Sequence, residues 1–132
     1  SEVPHLAGNG DGRVKTGIKL SANRVASQCA LPENFALCAS PDGSRIYFRA
    51  SNSVYKLENE RIERFAGMDK DAQACRSPDA VPADSAQFGY IASLALMSGD
   101  SSERDRIFVA DHYGSSCVIR CIETYAGSRE MT

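Results

Sequence analysis

Leu6-Ala7-Gly8, Phe65-Ala66-Gly67 and Tyr125-Ala126-Gly127 are three closely similar tripeptides, their glycines 59 (8 to 67) and 60 (67 to 127) residues apart. In a chain of 132 residues this spacing leaves room for two copies of a repeat of about 60 residues. The text between the glycines aligns as well. After each Gly comes a polar loop rich in Gly, Asp, Ser, Pro and Ala, from Asn9 to about Asn34 and from Met68 to about Gly89. An apolar run follows, Phe35 to Ala39 against Ile91 to Leu96. A turn comes next, Ser40-Pro41-Asp42-Gly43-Ser44 against Ser98 to Asp105. Arg45 to Ala50 then matches Arg106 to Asp111, and Val54 to Leu57 matches Val118 to Ile122. Ile62 to Phe65 and Glu123 to Tyr125 close the copies.

Each segment reads as a strand, because it is short, rich in Val, Ile, Phe and Tyr, and bounded by turn residues. Pro41-Asp42-Gly43 turns the chain by a known mechanism: Pro presets its φ and Gly accepts positive φ. The third strand alternates, Val54, Tyr55, Lys56, Leu57, Glu58, as a half-exposed strand does. The first strands are apolar at almost every position, which predicts burial on both faces. Four consecutive strands with the first one innermost describe a blade of a β-propeller. The expected fold class is therefore all-β, with two four-stranded antiparallel blades at 9–67 and 68–127 of a single module. Residues 1–8 read as the last strand of a preceding blade and 128–132 as a tail.

Composition narrows the function classes. With 42% hydrophobic and 24% charged residues, a net charge of −2 and pI near 5.7, nothing marks the basic face expected of a nucleic-acid binder. No apolar run approaches the ~18 residues of a membrane-spanning helix. The five cysteines, Cys29, Cys38, Cys75, Cys117 and Cys121, are an odd number, so at least one stays unpaired within the chain. Cys29 and Cys75 lie in polar loops. Cys38, Cys117 and Cys121 lie in apolar strands, where buried free thiols are expected. No Cys or His spacing fits zinc, and with only His5 and His112 present a His-based metal site is not expected. Asn9-Gly10-Asp11-Gly12 lacks the further carboxylates of a calcium loop and the Gly-Lys-Ser/Thr ending of a phosphate loop. No serine sits in Gly-x-Ser-x-Gly. No catalytic residue, metal ligand or cofactor is assigned.

At these residues the chain resembles the NHL-repeat family of β-propellers. Leu6-Ala7-Gly8-Asn9-Gly10-Asp11-Gly12 resembles the family's Ala-Gly and opening loop. Arg106-Ile107-Phe108-Val109-Ala110-Asp111-His112-Tyr113-Gly114 resembles its second strand and turn, and Val118-Ile119-Arg120-Cys121-Ile122 its third strand. Copy one departs from the pattern, with Ala50-Ser51-Asn52 in place of Ala-Asp and a longer turn. The resemblance implies that the long loops and the turns between second and third strands share one rim. That rim gathers the candidate ligand-binding residues Asp11, Arg13, Asn52, Arg76, Asp111, His112 and Tyr113.

Two blades do not make a ring, since propellers close with about four to eight. One blade face measures roughly 17 Å by 19 Å, or about 300 Å², and an open face of that size rivals the largest apolar patches of soluble monomers, about 300–600 Å². The ring is expected to be completed by further blades or by copies of the chain. The function expected is a non-catalytic module that binds a protein, peptide or glycan through its loop rim. The alternatives are a metal-dependent lyase or hydrolase, as some relatives of the resembled family are, and a purely structural self-assembly module.

Overall fold

The computed structural model describes residues 24–25, 36–50, 52–68, 81–125 and 128–132. Among these residues ten strands form two antiparallel sheets. The first sheet holds β1 (Arg24–Val25), β2 (Leu37–Ala39), β3 (Arg45–Ala50), β4 (Ser53–Glu58) and β5 (Arg61–Ala66) in the order β1-β5-β4-β3-β2. The second holds β6 (Val81–Pro82), β7 (Tyr90–Met97), β8 (Arg106–Tyr113), β9 (Ser116–Tyr125) and β10 (Ser128–Met131) in the order β6-β10-β9-β8-β7. The fold is all-β, and the sheets do not close into a ring. Each is an up-and-down run of four strands, with a two-residue strand from earlier in the chain paired to the last of them.

Local chemistry sets the turns. Gly43, at φ +75°, donates its N–H to the Ser40 carbonyl at 2.9 Å. Asp42 braces the same turn by accepting from the Ser44 N–H at 3.0 Å and from the hydroxyls of Ser44 and Ser40 at 2.8 and 2.9 Å. Those donors, the Ser44 N–H foremost, hold the Asp42 carboxyl down at about 2. Asn59 and Glu60, at φ 53° and 63°, make the two-residue mirror-image turn that suits the strand twist of the β4–β5 hairpin. Gly67, at φ +107°, ends β5 with its N–H donated to the Ala83 carbonyl at 2.8 Å. A side chain there would run into Ser53.

The sheets stack face to face. Tyr47, Val54, Phe65 and Ala66 of the first sheet meet Ile91, Ile107, Val109, Ile122 and Met131 of the second. Between them passes the segment from β6 to β7, where Ala83 and Ala86 are small enough to be enclosed and Phe88 fills the remaining space. Tyr47 and Phe65 touch edge to face, with ring centroids 4.8 Å apart. A second cluster, Phe48, Ala50, Tyr55, Leu57 and Ile62, is buried on the opposite face of the first sheet.

Register relates the two sheets. Ile46 pairs with Ala39 and Leu57, and Ile107 with Leu96 and Ile122. On that alignment Ile46, Phe48, Tyr55, Leu57 and Ile62 correspond to Ile107, Val109, Arg120, Ile122 and Met131. Tyr47 and Val54 correspond to Phe108 and Ile119. The Tyr47 face of the first sheet therefore packs on the second sheet's equivalent of its own opposite face. The stacking is head to tail, as in a rotational array, and not back to back. It leaves the Phe108 face of the second sheet uncovered, with Ile119 70% exposed and Met97 54% exposed.

Three expectations change. The fourth strand of the second copy is β10, Ser128–Met131, in the stretch read as a tail, while Glu123 to Tyr125 continue β9. The separation between equivalent residues is 57 at the first strands (39 to 96), 61 at the second (46 to 107), 65 at the third (57 to 122) and 69 at the fourth (62 to 131). Longer hairpins in copy two push its last strand past Tyr125-Ala126-Gly127. Secondly, the first strands are not buried on both faces. β2 and β7 are edge strands, and Leu37 is 58% exposed. It is β4 that is enclosed, with Val54 in one core cluster and Tyr55 and Leu57 in the other, while Lys56 pairs with Glu58 and Glu63 at 3.2 and 3.0 Å. Thirdly, Cys117 is exposed, while Cys38 and Cys121 are half-buried free thiols.

Candidate functional site

The Arg45 end of the sheet interface is a closed structural device. Asp105, fully buried, accepts from Arg45 Nε at 2.7 Å and Nη2 at 3.1 Å, from the Tyr47 hydroxyl at 2.6 Å and from the Gly99 N–H at 2.8 Å. Burial alone would raise its pKa. The Arg45 and Tyr47 hydrogen bonds and the Gly99 N–H outweigh that and hold it below the ordinary 3.8. Burial, followed by Asp105 itself, pushes the Tyr47 phenol well above its usual range. Arg45, Tyr47 and the Gly99 N–H thus all converge on this one buried carboxylate.

The opposite end, where β3 and β8 finish, is different. β7 begins there with Tyr90, cross-strand to His112. Gly89 lies so close to the His112 carbonyl and to Tyr113 that no side chain fits, so the start of β7 is held tightly against the end of β8. Tyr90 and Tyr113 are 50% and 49% exposed, and His112, cross-strand to Tyr90, is exposed as well. Arg49, from the middle of the first sheet, lays its guanidinium over the Tyr90 ring with Cζ 4.7 Å from the centroid. Asn52 sits half-buried in the β3–β4 turn at the same end.

Of the candidates read from sequence, His112, Tyr113 and Asn52 lie at this end. Asp111 belongs to it only as support. Its side chain is buried, one oxygen accepts from the Gly89 N–H at 2.8 Å and the other faces Arg120 Nη1 at 3.5 Å. It holds the β7 start against β8 and is not presented at the rim. Asp11, Arg13 and Arg76 lie outside the described residues, as do Cys29 and Cys75. Sequence reasoning missed Arg49 and Tyr90. A lone cation inside the apolar run Ile46 to Ala50 was the available signal for Arg49, and no periodicity links it to a tyrosine on the other copy.

Among the described residues no group of three or more His, Cys, Asp or Glu side chains gathers as a metal site, and no helix is long and apolar enough to cross a membrane. Compared with known proteins, the chain matches no family model, no curated protein and no solved structure.

Proposed function

We propose that this chain is a non-catalytic interaction module of the β-propeller type, similar to NHL repeats, whose two sheets are consecutive blades. A further sheet of the same kind covers the Phe108 face, and a protein, peptide or glycan partner contacts the Tyr90–His112–Tyr113 end. The observation that carries this reading is the head-to-tail stacking. The face that the first sheet buries through Tyr47 and Val54 is the one that the second presents open through Phe108 and Ile119. Its apolar centre is rimmed by the Arg106–Glu123 ion pair at 3.1 Å, and Arg106 is the counterpart of Arg45, which in the first sheet reaches across to Asp105.

The opposite face of the first sheet is already covered, with Ile62 fully buried and Phe48 3% exposed. Copies of the chain therefore meet open face to open face. One such face, at about 300 Å², is well below the ~800 Å² per partner of a stable complex, so self-association is expected to be weak and concentration-dependent. Sedimentation velocity from micromolar to millimolar protein checks this. The wild type should shift to a larger species at high concentration, and Ile119→Lys should abolish the shift by placing a charge at the centre of the face. Identical monomeric sedimentation of both proteins throughout would count against the open face as a contact surface.

A further inference from the structure

Buried cations in this fold come with anions. Arg45 is paired with Asp105, Arg120 faces Asp111, and Lys56 holds Glu58 and Glu63. Arg49 breaks the pattern. Its side chain is as enclosed as theirs, at 7% exposed. No carboxylate of the described residues lies within ion-pair distance of it, and its Nε has no hydrogen-bond partner. Among the described residues its partner is the half-exposed Tyr90 ring. A buried guanidinium without an anion is costly, because desolvation is not repaid, and a ring face offsets only part of that cost.

We propose that Arg49, laid on Tyr90, is the anchor for a carboxylate carried by the partner. This rests on the reading of the Tyr90–Tyr113 end as a contact surface and names the chemistry recognised there. A guanidinium offers two parallel N–H donors that match the two oxygens of a carboxylate. A single cation matches a monoanion, whereas a phosphate, at about −1.5 to −2, calls for further donors. The half-exposed ring of Tyr90 adds an apolar, planar surface next to the charge. The ligand group is therefore a carboxylate next to an apolar or aromatic moiety, such as a peptide C-terminus or an acidic side chain following an aromatic one.

The test is an NMR titration of the whole chain, following backbone amide and tyrosine ring signals. Acetyl-Ala-Phe with a free C-terminus, its C-terminal amide, acetyl-Phe-Glu-amide and phenyl phosphate serve as probes. The free acid should shift the signals of Arg49, Tyr90 and Tyr113, and the amide should bind at least tenfold more weakly. Comparable binding of acetyl-Phe-Glu-amide assigns the source to a side chain, and its failure assigns it to a chain terminus. Arg49→Gln should lower the affinity for the free acid at least tenfold, consistent with one charge-assisted pair. If Arg49→Gln does not fold, Tyr90→Leu keeps the cation, removes the ring at an exposed position and should weaken binding severalfold. Equal binding of acid and amide, tighter binding of phenyl phosphate, or unaltered binding by both variants would overturn the proposal. If the free acid fails to bind while Ile119→Lys still suppresses association, only the carboxylate is refuted and the module reading stands.

Discussion

Asp105→Ala is expected to destabilise the protein by about 3–5 kcal/mol, the cost of leaving a buried charge without its partner. Arg45 is 6% exposed and directs Nε and Nη2 at this one carboxylate. The Tyr47 hydroxyl and the Gly99 N–H lose an acceptor in the same step. Against a total stability of about 5–15 kcal/mol, such a loss leaves a fold close to unfolding. Urea unfolding followed by far-UV circular dichroism measures it. Replacing Arg45 and Asp105 together by leucine should recover part of the loss, because two apolar groups leave no orphaned charge.

The same carboxylate gives the stability a pH dependence of known sign. Its folded pKa lies below the ordinary 3.8, so the unfolded chain takes up the proton first as pH falls. The contribution is complete above the unfolded pKa, begins to decline as pH nears 3.8, and is gone once pH has passed the lowered folded value. Asp105→Asn should flatten that part of the stability profile. Asp42, exposed and held at about 2, contributes in the same direction, so the slope should be reduced and not removed.

Phe65→Ala is the second large effect, expected at about 3–5 kcal/mol for a fully buried aromatic. Phe65 is 1% exposed, touches Tyr47 edge to face at 4.8 Å and carries the Arg129 guanidinium 4.7 Å above its ring. Arg129 also donates to the Phe65 carbonyl at 2.8 Å, so β10 of the second sheet is tied to β5 of the first at this residue. Loss of the ring should loosen both sheets together and give one cooperative transition at lower urea. Two separated transitions in the variant would mean that the sheets fold as independent bodies.

How far the sequence foretold this can be followed residue by residue. Strands β3 and β8 were legible because Arg45 to Ala50 and Arg106 to Asp111 carry dense branched and aromatic residues between turn signals. The Ser40–Gly43 turn was legible because Pro-Asp-Gly has a fixed geometry. The last strand was not: Ser128-Arg129-Glu130-Met131 buries one apolar side chain, Met131, and pairing with β9 supplies what propensity lacks. The Ala-Gly spacing misled because Gly67 is fixed by its contacts with Ser53 and Ala83, whereas hairpin lengths drift between copies. The apolar first strands misled because Ala92 and Ala95 count as apolar yet stand exposed on an edge strand. At the candidate site, Tyr113 and His112 followed from the turn, but Asp111 was drawn inward by the Gly89 N–H and Arg120. Arg49 and Tyr90, 41 residues apart (49 to 90), meet only through the stacking of the sheets.

The most direct measurement of that stacking uses two native thiols on equivalent faces. Cys38 is cross-strand to Tyr47, on the covered face, and Cys117 is cross-strand to His112, on the Phe108 face. Burial, reinforced by Asp105, pushes the Cys38 thiol from 9.0 up to about 11, which lowers its reactive thiolate about 100-fold at neutral pH. Cys117 is exposed. In a time course with iodoacetamide on the native protein, read by peptide mass mapping, the exposed Cys117 should be modified first and the half-buried Cys38 far more slowly, with the difference abolished in urea. Equal rates at Cys38 and Cys117 in the native protein would contradict the head-to-tail stacking on which the account depends.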